Sequence, residues 1–298
     1  PAPPCATRKP CVTFTFMLDD LFYFFREGLT EWKDERVPHR ASLNFDADYC
    51  EQYTRASHLS DFRVLLAVVL ERALAGVPLH GQALDLACGP GVLLGELAGQ
   101  RPGMAFVGID LSRAMLAEAE RHIQHEHIAN VRLMQGDMAH LPEIFGEQRF
   151  DLITWTFGLH YCPTAQQALA TLNAAADLLR PGGTFFLVDL VRFKREATRR
   201  WFAHKYDREH GDSFFAEIQE SYLASFSPTE LADLLSKSRL RGMTMEWSRL
   251  FPVILFAHNR GVHEISPVHL DLPWRQRLKR AALRAVFDRS VGQAIVRR

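Results

Sequence analysis

Beginning at Gly81, short apolar runs alternate with amphipathic stretches as far as Val188, a rhythm that few folds accommodate. Residues 83–87, 105–109, 131–134, 150–155 and 184–188 have the length and composition of strands, while residues 92–99, 113–123 and 165–179 repeat apolar side chains at helical spacing. A strand followed by a helix and another strand makes a parallel pair. The pattern therefore predicts a Rossmann-like, doubly wound α/β domain whose mostly parallel sheet is covered on both faces. Pro181-Gly182-Gly183 is expected to end a helix and turn the chain into the fifth strand. Two later runs, 243–247 and 252–256, lie close enough to pair as an antiparallel C-terminal hairpin, completing a seven-stranded sheet.

Upstream, Leu18, Leu21, Phe22, Phe25 and Leu29 recur at three- and four-residue steps, and a second helical run covers residues 47–74. The charged stretch 31–40, broken by Pro38, reads as a surface connection. The expected organisation is a helical N-terminal extension or lid (1–80), a ligand-binding α/β domain (81–260) with a helical insertion at about 191–236, and a basic helical tail (261–298). Ser227-Pro228-Thr229-Glu230 has the spacing of a capping box that opens a helix. In the tail, residues 274–298 hold eight Arg or Lys and one acid, and Leu278, Ala282, Leu283 and Val286 form an apolar stripe suited to packing.

Composition narrows the function classes. An apolar share of 47% excludes a disordered chain, and 35 basic against 35 acidic side chains argue against a nucleic acid or an anionic membrane as partner. The five cysteines are scattered without a C-x-x-C pair, which fits a reducing cytoplasm. The apolar run 64–74 stops at Glu71 and Arg72, short of the roughly 20 residues that cross a bilayer. Residues 11–18 follow Arg8 and Lys9 as in a signal sequence, but Asp19 and Asp20 interrupt them and no small-residue cleavage site follows. His122, His125 and His127 lie at a polar helix end without an accompanying Cys or carboxylate pair, so no metal is expected.

The chemistry concentrates at the carboxyl ends of the predicted strands. Ala83-Leu84-Asp85-Leu86-Ala87-Cys88-Gly89-Pro90-Gly91 runs from a buried strand into a Gly-rich turn, where a ligand can approach bare backbone at a helix N-terminus. Asp110 ends the second strand 19 positions after Gly91, near the roughly 20-residue spacing at which a carboxylate takes ribose hydroxyls. Gly136-Asp137-Met138 follows the third strand, where a carboxylate can accept from an adenine amino group beside apolar side chains. Each Asp alone reads as a helix cap; their joint placement along one sheet rim does not. A dinucleotide fingerprint is incomplete, because its third Gly is Leu94 here.

These segments, together with Val107-Gly108-Ile109-Asp110-Leu111-Ser112, Gln135-Gly136-Asp137-Met138, Phe150-Asp151-Leu152-Ile153 and Leu179-Arg180-Pro181-Gly182-Gly183, resemble the class I S-adenosylmethionine (SAM)-dependent methyltransferases over about residues 45–257. The resemblance implies SAM as cofactor, with Gly89 and Gly91 against its methionine part, Asp110 on the ribose, and Asp137 with Met138 on the adenine. It also implies that Asp85, Ala87, Leu111, Thr154 and Trp155 contribute to cofactor binding, and that Tyr49 and Tyr53 close over the cofactor. SAM has no phosphate, so Leu94 is no obstacle to it.

Residues 150–162 run from the fourth strand into the expected reaction chamber. Trp155, Phe157 and Tyr161 are candidates to present ring faces to the sulfonium, an attraction of about 0.5–2 kcal/mol, against the plainer reading of aromatic core. His160, with an unperturbed pKa of about 6.5, is a candidate base, against the reading of a hydrogen-bonded structural His. Tyr161 and Tyr53 complete the catalytic candidates. An Asn-Pro-Pro-Tyr motif of nucleic-acid base methyltransferases is absent, Thr154-Trp155-Thr156-Phe157 standing in its place. The expected activity is methyl transfer by in-line displacement to a small molecule of secondary-metabolite type. The alternative takes SAM as sole substrate, as in the methyltransferase-like azetidine-2-carboxylate synthases: the amino group attacks the γ-carbon and expels methylthioadenosine. Its motivation is the absence of an evident acceptor-activating dyad and the aromatic-rich N-terminal region (Phe14, Phe16, Phe22, Tyr23, Phe24, Phe25, Trp32, Phe45). A SAM sensor without catalysis is disfavoured by the retained acids and glycines.

Overall fold

The structure is a computed structural model that describes residues 22–23, 25–31, 35–40, 47–57, 60–75, 77–210, 212–248, 253–259, 277, 281 and 291–295. In chain order its elements are α1 (Ala47–Ser57), α2 (Ser60–Leu74), β1 (Gly81–Leu86), α3 (Val92–Gln100), β2 (Met104–Asp110), α4 (Arg113–His125), β3 (Val131–Gln135), α5 (Leu141–Phe145), β4 (Phe150–Thr156), α6 (Ala165–Leu178), β5 (Leu179–Leu190), α7 (Glu196–His210), α8 (Asp212–Ala224), α9 (Pro228–Lys237), β6 (Thr244–Ser248), β7 (Ile254–His258) and β8 (Val291–Ile295). Short 3-10 turns follow β3 (Met138–His140) and β4 (Leu159–Tyr161).

The strands form one sheet in the order β3-β2-β1-β4-β5-β7-β6-β8. The first five are mutually parallel, and β7 and β6 return antiparallel beside β5, as the hairpin reading required. Alternation along the strands distributes side chains to two layers. Leu84, Leu86 and Ile153 pack against α5, α6 and α9 through Leu141, Leu172 and Leu231. Ala83, Phe106, Leu152 and Phe186 pack against α2 and α3 through Leu70, Leu94 and Leu97. Strand order reverses between β1 and β4, so a crevice opens at their carboxyl ends, where ligands of open α/β sheets bind.

Two expectations are corrected. Pro181-Gly182-Gly183 is not a simple helix-to-strand turn: Leu179 already pairs with Phe150, the next pair is Thr184 with Leu152, and the intervening residues bulge out with Gly182 at φ +79°. The basic tail is not helical throughout, because Val291–Ile295 pairs antiparallel with β6 as an eighth strand and covers that edge. The stripe Leu278, Ala282, Leu283 and Val286 lies outside the described residues, as do Leu18 and Leu21.

The stretch around Arg36 and His39 also differs from a surface connection. Arg36 donates to the carbonyl oxygens of His160 (2.9 Å), Pro163 (3.2 Å), Cys162 and Ala224, and its guanidinium lies 4.3 Å from the Phe226 ring centroid. Glu27 accepts the Lys194 N–H just ahead of α7. The N-terminal segment is thereby strapped across the helical insertion and the β4 loop.

Candidate functional site

A cavity of about 230 Å³ sits at the crevice. The turn after β1 forms one wall. Ala87, Gly89 and Gly91 all have positive φ (52°, 52° and 72°), and the Cys88 N–H donates to the Ile109 carbonyl at 3.0 Å, which ties the turn to β2. Phe157, after the neighbouring β4, is also left-handed (φ 51°), so two non-glycine residues, Ala87 and Phe157, hold costly backbone conformations on opposite lips of the crevice. A Cβ on Gly89 would meet nothing within 4 Å, leaving its backbone open to a ligand. Gly91 has a different duty: its Cβ would lie 2.9 Å from that of Ala119, so it lets α3 and α4 meet and does not line the cavity. Leu94 is accommodated because its partner on β2 is Gly108, where any Cβ would come within 2.5 Å of the leucine.

Asp110 projects from the end of β2 into the cavity wall. Its Oδ2 accepts the Gly89 N–H (2.8 Å) and its Oδ1 the Ser112 N–H (2.9 Å). A carboxylate offers about four acceptor positions, so these N–H groups, with that of Leu111, leave capacity for a ligand. Burial pushes its pKa up, against the lowering effect of those N–H groups. The cap of α4 is Ser112, whose hydroxyl accepts from Met115 N, and Asp110 is free of that role. Asp137 accepts the Ala139 N–H (2.8 Å) at the cavity edge, with Met138 beside it. Leu66 and Val69 of α2, Val92 and Leu93 of α3, and Met115 supply apolar wall, and Tyr53 of α1 closes over it. Among the described residues the lining holds two acids, Asp110 and Asp137, and no Lys, Arg or His.

The far end is built by the β4 loop: Thr156, Phe157, Gly158, Tyr161, Cys162 and Pro163, with Gln167 and Thr171 of α6. Tyr161 donates to Glu217 Oε1 of α8 at 2.7 Å, and His39 Nε2 lies 3.0 Å from the same oxygen. Burial, followed by the neighbouring Tyr49 and then the charge of Glu217, holds the Tyr161 phenol well above its ordinary range, and burial together with the Glu217, Asp189 and Asp110 charges pushes Tyr53 up to about 12. Burial likewise pushes Cys162 up to about 12 and raises Cys88, so both cavity thiols are held protonated and neither is a thiolate nucleophile.

Of the sequence candidates, Tyr53, Ala87, Gly89, Asp110, Leu111, Asp137, Met138 and Tyr161 come together on the cavity wall; Tyr49, Asp85, Gly91, Thr154, Trp155 and His160 do not. Asp85 and Thr154 lie beneath the floor, where the threonine hydroxyl donates to Asp85 Oδ1 at 2.6 Å and Oδ2 has no partner. Burial, with a smaller push from the Asp110 charge and against the Thr154 bond, raises Asp85 to about 7. Trp155 is fully buried in the core, its indole pressed against Gly158, so it does not reach a ligand. His160 is 3% exposed and held by Asp189 through Nδ1 (2.6 Å) and through its backbone N–H (3.0 Å), with its ring 4.3 Å behind that of Tyr161. It supports Tyr161 and does not face the cavity. Tyr49 is a neighbour of Tyr53, with ring centroids 6.2 Å apart. Sequence reasoning missed Asp189, Glu217, His39 and the α2 wall, all from segments that carry no motif. Among the described residues no cluster of three or more His, Cys, Asp or Glu is arranged for a metal, and no helix is long and apolar enough to cross a membrane.

Comparison with known proteins agrees with this geometry. Residues 83–183 match the family described as "Methyltransferase domain". The chain is 31% identical to trans-aconitate 2-methyltransferase of Deinococcus radiodurans over 65% of its own length and 68% of the relative's. It is 38% identical to demethylmenaquinone methyltransferase of Lactobacillus johnsonii over 34% of this chain. The chain spans 40% and 61% of the length of the first two curated relatives it matches. A solved SAM-dependent methyltransferase from Aquifex aeolicus shares the fold, with a TM-score of 0.54 at 16% identity over 72% of this chain and 98% of that one. The chain belongs to the class I SAM-dependent methyltransferases, a family whose cofactor is SAM. The donor chemistry of the cavity fits that cofactor: open backbone at Gly89, carboxylate acceptors for a diol and an amino group, and no cation to repel a sulfonium among the described lining residues.

Proposed function

We propose that this chain transfers the methyl group of SAM to a small molecule, of secondary-metabolite type, in the cytoplasm. The observation that carries the reading is the pair Asp110 and Asp137 on one rim with no Lys, Arg or His among the described lining residues, the charge pattern suited to a cationic adenosyl ligand and unsuited to a pyrophosphate. The relatives named above are methyltransferases of trans-aconitate and demethylmenaquinone, which supports a small-molecule acceptor class. Among the described cysteines, Cys50, Cys88 and Cys162 are buried thiols, in keeping with a reducing compartment.

In this reading Gly89 receives the methionine part, Asp110 the ribose, and Asp137 with Met138 the adenine, while Tyr53 and the α2 wall exclude water. When bound, SAM supplies a methyl group already activated on sulfonium, so proximity and alignment are the main tasks left to the protein. Tyr161 and Tyr53 are neutral phenols, held protonated by burial, and serve as ring faces and polar oxygens, not as anionic bases. His160, fixed by Asp189, positions Tyr161 from behind.

The test is incubation of purified protein with SAM, with and without a panel of phenol, amine and carboxylic-acid acceptors, followed by product analysis. S-adenosylhomocysteine (SAH) formed only with an acceptor supports the reading. Methylthioadenosine formed from SAM alone replaces it with intramolecular cyclisation.

A further inference from the structure

Glu217 has no place in the reading above. It sits on α8, in the helical insertion and in none of the motif segments, yet its carboxylate meets Tyr161 on the wall of the cavity. Its Oε1 receives the Tyr161 hydroxyl at 2.7 Å and faces His39 Nε2 at 3.0 Å. Tyr161 and Tyr53, on both of which the Glu217 charge acts, line the cavity. A buried carboxylate is costly unless its charge is used or matched. Burial pushes Glu217 up, but the hydrogen bonds from His39 and Tyr161, with the nearby histidines, outweigh it and hold the group below its ordinary range, so it is ionised.

Among the described residues, the ion pairs around it do not cancel that charge. His39 lies between two carboxylates, Glu217 and, at 3.9 Å from Nδ1, Glu220, so even a protonated His39 leaves a negative surplus. His160 is matched by Asp189. Arg36, which bridges the β4 loop and the end of α8, directs its donors to four backbone carbonyls, not to Glu217.

We infer that Glu217, acting through Tyr161, is the determinant that makes the inner end of the cavity select positive charge at the reacting centre. The inference rests on the cavity being a SAM site. It assigns to the helical insertion a part in ligand recognition: Tyr161, its hydroxyl committed to a carboxylate, carries the field of that charge to the cavity wall. The cavity then favours a sulfonium over a neutral thioether, so that the charged cofactor is held and the uncharged product released. The same field disfavours an acceptor with a carboxylate next to its nucleophile and favours neutral or amine-bearing ones.

The experiment is calorimetric titration of the full chain with SAH, which is neutral at sulfur, and with sinefungin, which carries a protonated amine near that position. The wild type is expected to bind sinefungin more tightly than SAH. In an effective dielectric of about 20, a unit charge acting through one intervening side chain changes affinity by on the order of tenfold, so Glu217→Gln should cut the sinefungin preference about tenfold while leaving SAH affinity within about twofold. The surface change Glu120→Gln, on an exposed position of α4, should leave the ratio unaltered. Should Glu217→Gln not fold, the wild-type ratio still decides: equal or tighter binding of SAH overturns the proposal. An unchanged ratio in a folded Glu217→Gln overturns it as well. Failure of the wild type to bind either compound overturns instead the SAM-site reading on which it stands.

Discussion

Asp85 offers a quantitative test of the floor of the site. The carboxyl is 1% exposed, has one hydrogen bond, from Thr154, and an unpartnered Oδ2; burial raises its pKa from 3.8 to about 7. The folded state therefore binds a proton that the unfolded state has released, and unfolding free energy falls as pH rises between those two values. The slope approaches 1.4 kcal/mol per pH unit, and the total is about 4 kcal/mol, present below the unfolded pKa and lost as pH passes the folded one. Asp85→Asn removes the titration while keeping an oxygen for the Thr154 hydroxyl. Its new amide N–H₂ costs roughly 1–3 kcal/mol if unpaired, but that cost does not vary with pH. Urea denaturation of ligand-free protein at pH 5, 6, 7 and 8 is the assay. The stability of the Asn variant relative to wild type should improve by about 2–3 kcal/mol from pH 5 to pH 8. Parallel pH profiles for the two proteins would refute the assignment of a protonated Asp85.

Two further outcomes follow from single contacts. Gly91→Ala adds a Cβ 2.9 Å from that of Ala119 at φ +72°, and should destabilise the fold by roughly 2–4 kcal/mol, read by urea midpoint. Ser227→Ala removes the hydroxyl that accepts Glu230 N–H in the capping box of α9 and should cost about 1 kcal/mol by the same measurement, with SAH affinity unaltered.

The parts of the fold legible in the sequence are those set by local periodicity. The strand-turn-helix from residue 83, the later parallel strands, the hairpin and the Ser227 capping box all appear where the pattern placed them, because each depends on side chains a few positions apart. The rim acids were legible for the same reason, being fixed by strand ends. What escaped depends on contacts between distant segments. Trp155 reads identically as a cavity aromatic and as core, and only the packing of β4 settles that it is buried. His160 looked like a base because Asp189, 29 residues away, was unseen. Glu217 is one of many acids in a charged helical stretch, and nothing local marks it as facing Tyr161. The tail read as helical from its apolar stripe, whereas pairing with β6 decides the state of Val291–Ile295.

The central claim is that Asp110, presented beside Gly89 on the sheet rim, holds the sugar of an adenosyl ligand. Calorimetric titration of SAH into wild-type protein and into Asp110→Asn tests it directly, with thermal unfolding as a check that the turn is intact. A buried charge-assisted hydrogen bond is worth about 1.5–3 kcal/mol, so the account predicts an affinity loss of roughly 10- to 150-fold. Equal affinity in a folded variant would contradict it.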